Sequence, residues 1–190
     1  MKALENKILH EGKVYDGGIL KVGSFLNQQI DSDFMMEMGN EIARLYKNDN
    51  ITKVLTVEAS GIAVALAAGA GLHVPALFAK KHNTSNIKSD VYSSVVYSFT
   101  HQTNYNIVVS KEYLTSDDKV LIVDDFLARG NAIVGLADIV KQSGAELVGC
   151  AVAIEKGFQH GGDELRKQGI RVEALALIDS MEENNIVFRN

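Results

Sequence analysis

Several stretches of this chain are apolar at nearly every consecutive position, and that pattern leaves few folds open. Residues 120–123 read Val-Leu-Ile-Val, residues 147–154 read Leu-Val-Gly-Cys-Ala-Val-Ala-Ile, and 53–58 and 172–178 are nearly as apolar. A strand with one wet face alternates apolar and polar residues. A strand apolar throughout is covered on both faces, as in a parallel sheet between two layers of helix. The intervening segments suit such helices: 62–70 is small and apolar, 131–142 has apolar residues at helical spacing, and 163–168 is a short polar helix. A further strand is expected at 74–79. The alternation then stops at the polar stretch 80–90, and two strand-like runs follow, 91–99 and 106–110. His101-Gln102-Thr103-Asn104 separates them, which predicts a hairpin or meander. Upstream, Leu4 and Ile8 mark a short amphipathic helix, and 19–27 reads as a strand followed by a loop. Asp31 can cap a helix carrying Phe34, Met35, Met38, Ile42, Leu45 and Tyr46 near a 3.6-residue period, a spacing that favours core packing for the methionines. The fold class is therefore α/β, with a central mostly parallel sheet flanked by helices.

Composition narrows the function. The 190 residues suit one domain, and 46% hydrophobic content supplies a core with no need of a disulfide or metal staple. The single cysteine, Cys150, lies inside an apolar strand, where a buried thiol in a reducing compartment is the expected state. A net charge of −5 argues against nucleic acid as a partner. Residues 61–79 are the most apolar, but His73, Pro75 and several glycines divide them into helix, turn and strand. That excludes a continuous membrane span, and the first residues lack the apolar core of a signal peptide, so a cytoplasmic protein is expected. His10, His73, His82, His101 and His160 share no metal-ligand spacing, and no Walker-type, GxGxxG, HExxH, CxxC or GxSxG motif is present.

Ligands in such sheets bind beyond the carboxyl ends of the strands, and three strands here end in polar sequence. The first is the run 120–123, followed by Asp124, Asp125, Phe126, Leu127, Ala128, Arg129, Gly130, Asn131 and Ala132. Small residues leading into a helix offer unpaired N–H groups at the positive end of its dipole, an anion site, beside two carboxylates able to accept sugar hydroxyls. A plain strand end with Asp125 and Asn131 as turn and cap residues is the alternative. The second is Glu58-Ala59-Ser60-Gly61, another strand passing through small residues into a helix. The third is Ile154-Glu155-Lys156-Gly157-Phe158, where Lys156 either donates to a carbonyl oxygen or reaches solvent.

The segment 120–132 resembles the phosphoribosyl pyrophosphate (PRPP) signature of the type I phosphoribosyltransferases. Further matching stretches are 20–31, 58–63, 78–82, 96–100 and 154–159, so the resemblance spans essentially the whole chain and runs nearest to the xanthine-using bacterial purine members. It implies a type I phosphoribosyltransferase fold in one domain over 1–190, with a hood from about 1–30 plus the C-terminal segment and a core of about 31–178. A flexible lid loop is implied near 82–92. By the same resemblance, Ala128, Arg129, Gly130, Asn131 and Ala132 hold the 5′-phosphate of PRPP, and Asp124 and Asp125 take the ribose hydroxyls. Ala59, Ser60 and Gly61 meet the pyrophosphate, with Lys80 or Lys81 beside it. Lys156 faces the 6-oxo group of the base, Asn27 and the Leu20 backbone cap the base, and Phe126 lies against it. Family members often carry Thr or Ser in the phosphate loop; here Arg129 and Asn131 are the side chains available instead.

The implied reaction displaces pyrophosphate from the ribose by a purine nitrogen, with Mg²⁺ brought in by PRPP and no metal site in the protein itself. The implied partners are PRPP and an oxopurine base (xanthine, with guanine second), and a second copy of the chain in a homodimer. The alternatives are a guanine/hypoxanthine enzyme of the same class and a non-catalytic PRPP-sensing regulator with the same fold.

Overall fold

The computed structural model describes residues 1–82, 90–98, 103–182 and 185–189. The chain opens with α1 (Lys2–Glu11), whose Leu4 and Ile8 are buried, followed by a small antiparallel hairpin of β1 (Lys13–Tyr15) and β2 (Ile19–Lys21). Gly17 and Gly18 turn this hairpin with φ of 78° and 73°, a left-handed conformation that glycine adopts at little cost. Residues Gly23–Asn27, expected as a loop, form a π-helical turn that buries Phe25 and Leu26. Asp31 caps α2 (Ser32–Leu45) by accepting from the Phe34 N–H, and Met35, Met38 and Ile42 are buried as the spacing predicts.

The remaining elements are β3 (Lys53–Val57), α3 (Gly61–Leu72), β4 (Ala76–His82), β5 (Val91–Ser98), β6 (Thr103–Ser110), β7 (Lys119–Leu127), α4 (Asn131–Ser143), β8 (Glu146–Lys156), α5 (Gly161–Lys167), β9 (Val172–Glu182) and β10 (Asn185–Phe188). The eight strands after the hood hairpin form one sheet in the order β10-β9-β8-β7-β3-β4-β6-β5. Neighbours among β4, β3, β7, β8 and β9 pair in parallel, and β10, β6 and β5 add antiparallel edges. The sheet is thus central and mostly parallel, with helices on both faces.

The apolar runs lie where two-sided burial requires. Leu121 and Val123 of β7 join one core with α1, α2, α3 and the hood, while Val120 and Ile122 join a second core with α4. All four are fully buried, so truncating any one to alanine would cost about 2–5 kcal/mol. The small residues of α3 have a packing reason: a Cβ on Gly39 of α2 would lie 2.6 Å from the Ala67 Cβ, so the two helices touch at backbone range.

Several boundaries differ from expectation. β4 begins at Ala76 and continues through Lys80, Lys81 and His82, which pair with Val108, Ile107 and Asn106 of β6. The first residues of the polar stretch are therefore strand, and residues 83–89 of the expected lid lie outside the described residues. The β5–β6 hairpin is present, with β6 starting at Thr103, and β1 and β10 were not foreseen.

Candidate active site

Read in chain order, the five parallel strands β3, β4, β7, β8 and β9 lie side by side as second, first, third, fourth, fifth. The chain reverses direction across the sheet between β3 and β7, and a crevice opens where strands of such a sheet part in this way. Both strands end in the segments singled out above.

On the β3 side the Glu58–Ala59 peptide bond is cis, and α3 begins at Gly61. Glu58 accepts from the Lys81 N–H at 2.7 Å, which ties this turn to the end of β4. A Cβ on Gly61 would sit 2.6 Å from Asp124 Oδ1 and would also collide with the Thr56 hydroxyl. Glycine here lets the start of α3 close onto the carboxylate.

On the β7 side the strand runs past both carboxylates to Leu127 instead of ending before them. Asp124 and Asp125 are only 6% and 7% exposed. Although successive, they turn to different neighbours. Asp124 Oδ1 accepts from the Asp125 N–H at 3.0 Å and faces the start of α3. Asp125 Oδ2 accepts from the Asn27 amide of the hood at 3.3 Å. Burial foremost, then the neighbouring Asp125 charge, pushes the Asp124 carboxyl well above the usual carboxylate range, while the Lys81 charge pulls it back. The Lys81 ammonium lies 5.2 Å from the centre of the Tyr105 ring, and Lys80 is exposed.

Beyond Leu127 the chain turns into α4. Gly130, with φ of 84°, is the N-cap; Asn131 is the first helical residue and its side chain donates to the Tyr97 carbonyl at 3.0 Å. The cap role considered for Asn131 thus falls to Gly130. The first-turn N–H groups and the positive helix end present an anion cradle. Behind it, Gly161 donates its N–H to the Ala128 carbonyl at 3.1 Å. A Cβ on Gly161 would lie 2.8 Å from Arg129 Cα, so α5 presses on the loop backbone to backbone.

Across from the cradle stands Lys156, at the end of β8. Its ammonium lies 5.4 Å from the centre of the Phe126 ring and donates to the Gly18 carbonyl of the hood at 2.9 Å. Burial lowers its pKa. Lys156 is thus turned inward to a main-chain carbonyl instead of reaching into solvent. Phe126, residues 128–132 and Lys156 line one cavity of about 610 Å³, together with Gly18 and Tyr97. A depression of equal volume over His160, Asp163 and Arg166 lies against α5 and contains none of the candidate residues.

The structure therefore gathers Phe126, Ala128, Arg129, Gly130, Asn131, Ala132 and Lys156 around one space, with Asp125 and Asn27 joined beside it. Ala59, Ser60, Gly61 and Lys81 sit across the β3–β7 crevice and connect through Asp124. Leu20 pairs with Val14, its side chain is buried, and it does not line the cavity, which its neighbour Ile19 does. Gly18, Tyr97 and Thr56 were not singled out from sequence. Gly17-Gly18 has the composition of a turn, but nothing local links it to Lys156; Tyr97 lies in the matching stretch 96–100 without a role of its own, and Thr56 carried no signal.

Residues 28–188 match the family model described as the phosphoribosyl transferase domain. A xanthine phosphoribosyltransferase of Heliobacterium modesticaldum is 56% identical over 188 residues, covering 99% of this chain and 100% of the relative. One from Ruminiclostridium cellulolyticum is 51% identical over 188 residues, 99% of each chain. Among solved structures, the adenine phosphoribosyltransferase of Trypanosoma brucei in complex with AMP, pyrophosphate and ribose 5-phosphate aligns with a TM-score of 0.75 at 20% identity, covering 90% of this chain and 78% of its own. That of Leishmania tarentolae aligns with a TM-score of 0.75 at 16% identity over 96% of this chain and 91% of its own. At these identities the structural likeness bears on the fold.

Proposed function

The chain belongs to the phosphoribosyl transferase domain family, and from that premise we propose that it is a xanthine phosphoribosyltransferase of purine salvage. It joins xanthine to the ribose 5-phosphate of PRPP and releases pyrophosphate. The observation that carries this reading is one cavity with an anion cradle at residues 128–132 on one wall and the Lys156 ammonium over Phe126 on another. A phosphate and a planar oxygen-bearing base fit those two walls. The names of relatives at 56% and 51% identity supply the base.

In this reading a ring nitrogen of xanthine attacks C1 of the ribose as the C1–O bond to pyrophosphate breaks, and no enzyme nucleophile intervenes. Catalysis is positioning and charge. Backbone N–H groups of 128–132 hold the 5′-phosphate. Asp124 and Asp125 accept ribose hydroxyls and place negative charge near the sugar as it becomes cationic. Ala59, Ser60 and Gly61, with Lys80 or Lys81, meet the pyrophosphate. Lys156 donates to the 6-oxo oxygen, Phe126 stacks on the base, and Asn27 and the Leu20 main chain close over it. The hood is about 1–30 plus the C-terminal segment.

The substrate is taken as magnesium–PRPP. Among the described residues no three Asp, Glu, His or Cys side chains gather around one point. Mg²⁺ seeks an octahedral shell of hard oxygens, which the pyrophosphate of PRPP and water supply, leaving Asp124 and Asp125 to the ribose hydroxyls. When bound, the ion neutralises charge on the leaving group. A homodimer belongs to the same reading: α3 is apolar on all sides and leaves Leu66 63% exposed, as a helix does when a second copy covers it. A cytoplasmic location is supported by the single, buried, unpaired Cys150; no helix of the described residues is long and apolar enough to cross a membrane.

The test is turnover of xanthine, guanine, hypoxanthine, adenine and orotate with PRPP and Mg²⁺. Xanthine should have the highest kcat/KM and guanine should remain measurable. Adenine presents an amino donor to Lys156 and should fall by up to about 10⁴-fold, because two donors would face each other and the N–H groups of Lys156 not held by the Gly18 carbonyl would lose their acceptor. Adenine matching xanthine would overturn the reading, and PRPP binding without turnover of any base would point to the sensing regulator.

A further inference from the structure

Among the described residues, Thr56 Oγ1 is the buried side-chain oxygen left with no hydrogen-bond partner. Thr56 is fully buried in β3, between the apolar Leu55 and Val57. Valine has nearly the same shape and would bring no orphaned hydroxyl, and an unpaired buried hydroxyl costs stability. Packing in this state therefore gives no reason for threonine.

The surroundings give one. The space that a Cβ on Gly61 would fill is bounded by two oxygens, Thr56 Oγ1 and Asp124 Oδ1, the latter at 2.6 Å from that point. The hydroxyl and the carboxylate face the same gap, at the crevice between β3 and β7. Asp124 Oδ1 is at present engaged by the Asp125 N–H. Turning that carboxyl group would release the Asp125 N–H and offer an oxygen to the hydroxyl across this gap.

We infer that Thr56 is a positioning residue: its hydroxyl donates to Asp124 once that carboxylate turns to accept a ribose hydroxyl of PRPP. The inference rests on the reading of Asp124 as a ribose acceptor and names the group that holds it there. One oxygen of the carboxylate is fixed from inside the sheet while the other meets the sugar. The hydroxyl thus stays unsatisfied in the free protein and becomes satisfied in the complex, which favours PRPP binding from both sides. Glycine at 61 is what leaves the two oxygens facing one another.

The test compares Thr56→Val and Thr56→Ser with the unmodified protein, by calorimetric titration with magnesium–PRPP in the absence of base, by thermal melting without ligand, and by steady-state turnover. Thr56→Val should melt at or above the unmodified protein and bind PRPP about ten- to 150-fold more weakly, as loss of a hydrogen bond to a charged group predicts. Its KM for PRPP should rise more than its KM for xanthine. Thr56→Ser keeps the hydroxyl and should bind within about threefold of the unmodified protein. PRPP binding by Thr56→Val within twofold, or Thr56→Ser as weak as Thr56→Val, would overturn the inference. So would a Thr56→Val protein that melts well below the unmodified one, since the hydroxyl would then be stabilising the free state. The choice of base does not enter the titration, so a failure of the xanthine reading shows separately, in turnover alone. An unmodified protein that binds no PRPP would remove the role of Asp124 and this inference with it.

Discussion

In the proposed function the cavity has a phosphate end, walled by main chain from residues 128–132, and a base end, walled by Phe126 and Lys156, side chains brought together from separate strands. The cradle needs the end of β7, a glycine at φ 84° and the start of α4, all within a few residues. The base end needs Lys156 against Gly18, 138 positions away, and Asn27 meets Asp125, the residue before Phe126, 98 positions away. The cradle is thus specified by backbone conformation, and its sequence Ala-Arg-Gly-Asn-Ala carries no side-chain hydroxyl. The base end is specified by side-chain polarity, and its donors and acceptors can be altered one at a time. Between the two ends lie Asp124 and Asp125, one turned to α3 and the other to the hood.

That division can be tested from its centre outward. Replacing Asp124 and Asp125 together with Asn keeps shape and removes the charge shared by both ends. kcat/KM should fall about 10²–10³-fold, with kcat itself reduced, because preorganised charge at a reacting centre acts mainly in the transition state. Steady-state kinetics at saturating substrate checks this, and near-normal turnover would show that the carboxylates only shape the pocket.

At the phosphate end the sensitive position is behind the loop. Gly161→Ala would push a Cβ into the Ala128 carbonyl and the Arg129 backbone, neither of which is a flexible side-chain tip. KM for PRPP should rise about ten- to a hundredfold, as misplacement of a binding element by an ångström can. KM for xanthine measured at saturating PRPP should change little. Equal losses for both substrates would mean that the two ends are mechanically coupled, and the contrast drawn above would fail.

The smallest effect is expected at the base end. Asn27 directs its amide nitrogen at Asp125, which fixes which way its oxygen points. Asn27→Ala should shift the xanthine-to-guanine ratio of kcat/KM by about two- to twelvefold, the worth of one net hydrogen bond. An unchanged ratio would take Asn27 out of the choice between a 2-oxo and a 2-amino group.

The legibility of the chain in sequence follows the same division. Residues 120–123 announced a strand buried on both faces, and β7 is that strand. Asp31 announced a helix start and caps one. Where expectation slipped, distant pairing had overridden local polarity. Lys80 and Lys81 read as loop because they are charged, yet β6 offers them an edge to pair with, and a backbone ladder is indifferent to side-chain charge. The segment Gly23–Asn27 read as loop because nothing in it repeats, and the core beneath it winds it into a helical turn around Phe25 and Leu26.

Sequence by itself determined the α/β class, the parallel strands, the glycine turn from β7 into α4, and the carboxylate pair beside it. Each of these depends on residues close together in the chain, where apolar periodicity, dipole direction and glycine freedom act locally. Only the tertiary structure decided that Asp124 and Asp125 would part to different neighbours, that Lys156 would meet Gly18 across the Phe126 ring, and that the Thr56 hydroxyl would be left facing Asp124 with nothing to bind. Those outcomes turn on the strand order that sets β3 beside β7 and on a hood folded over the sheet. The physical reason is that a hydrogen-bond partner is chosen by proximity in space, and no pattern along one chain records which remote residue will arrive.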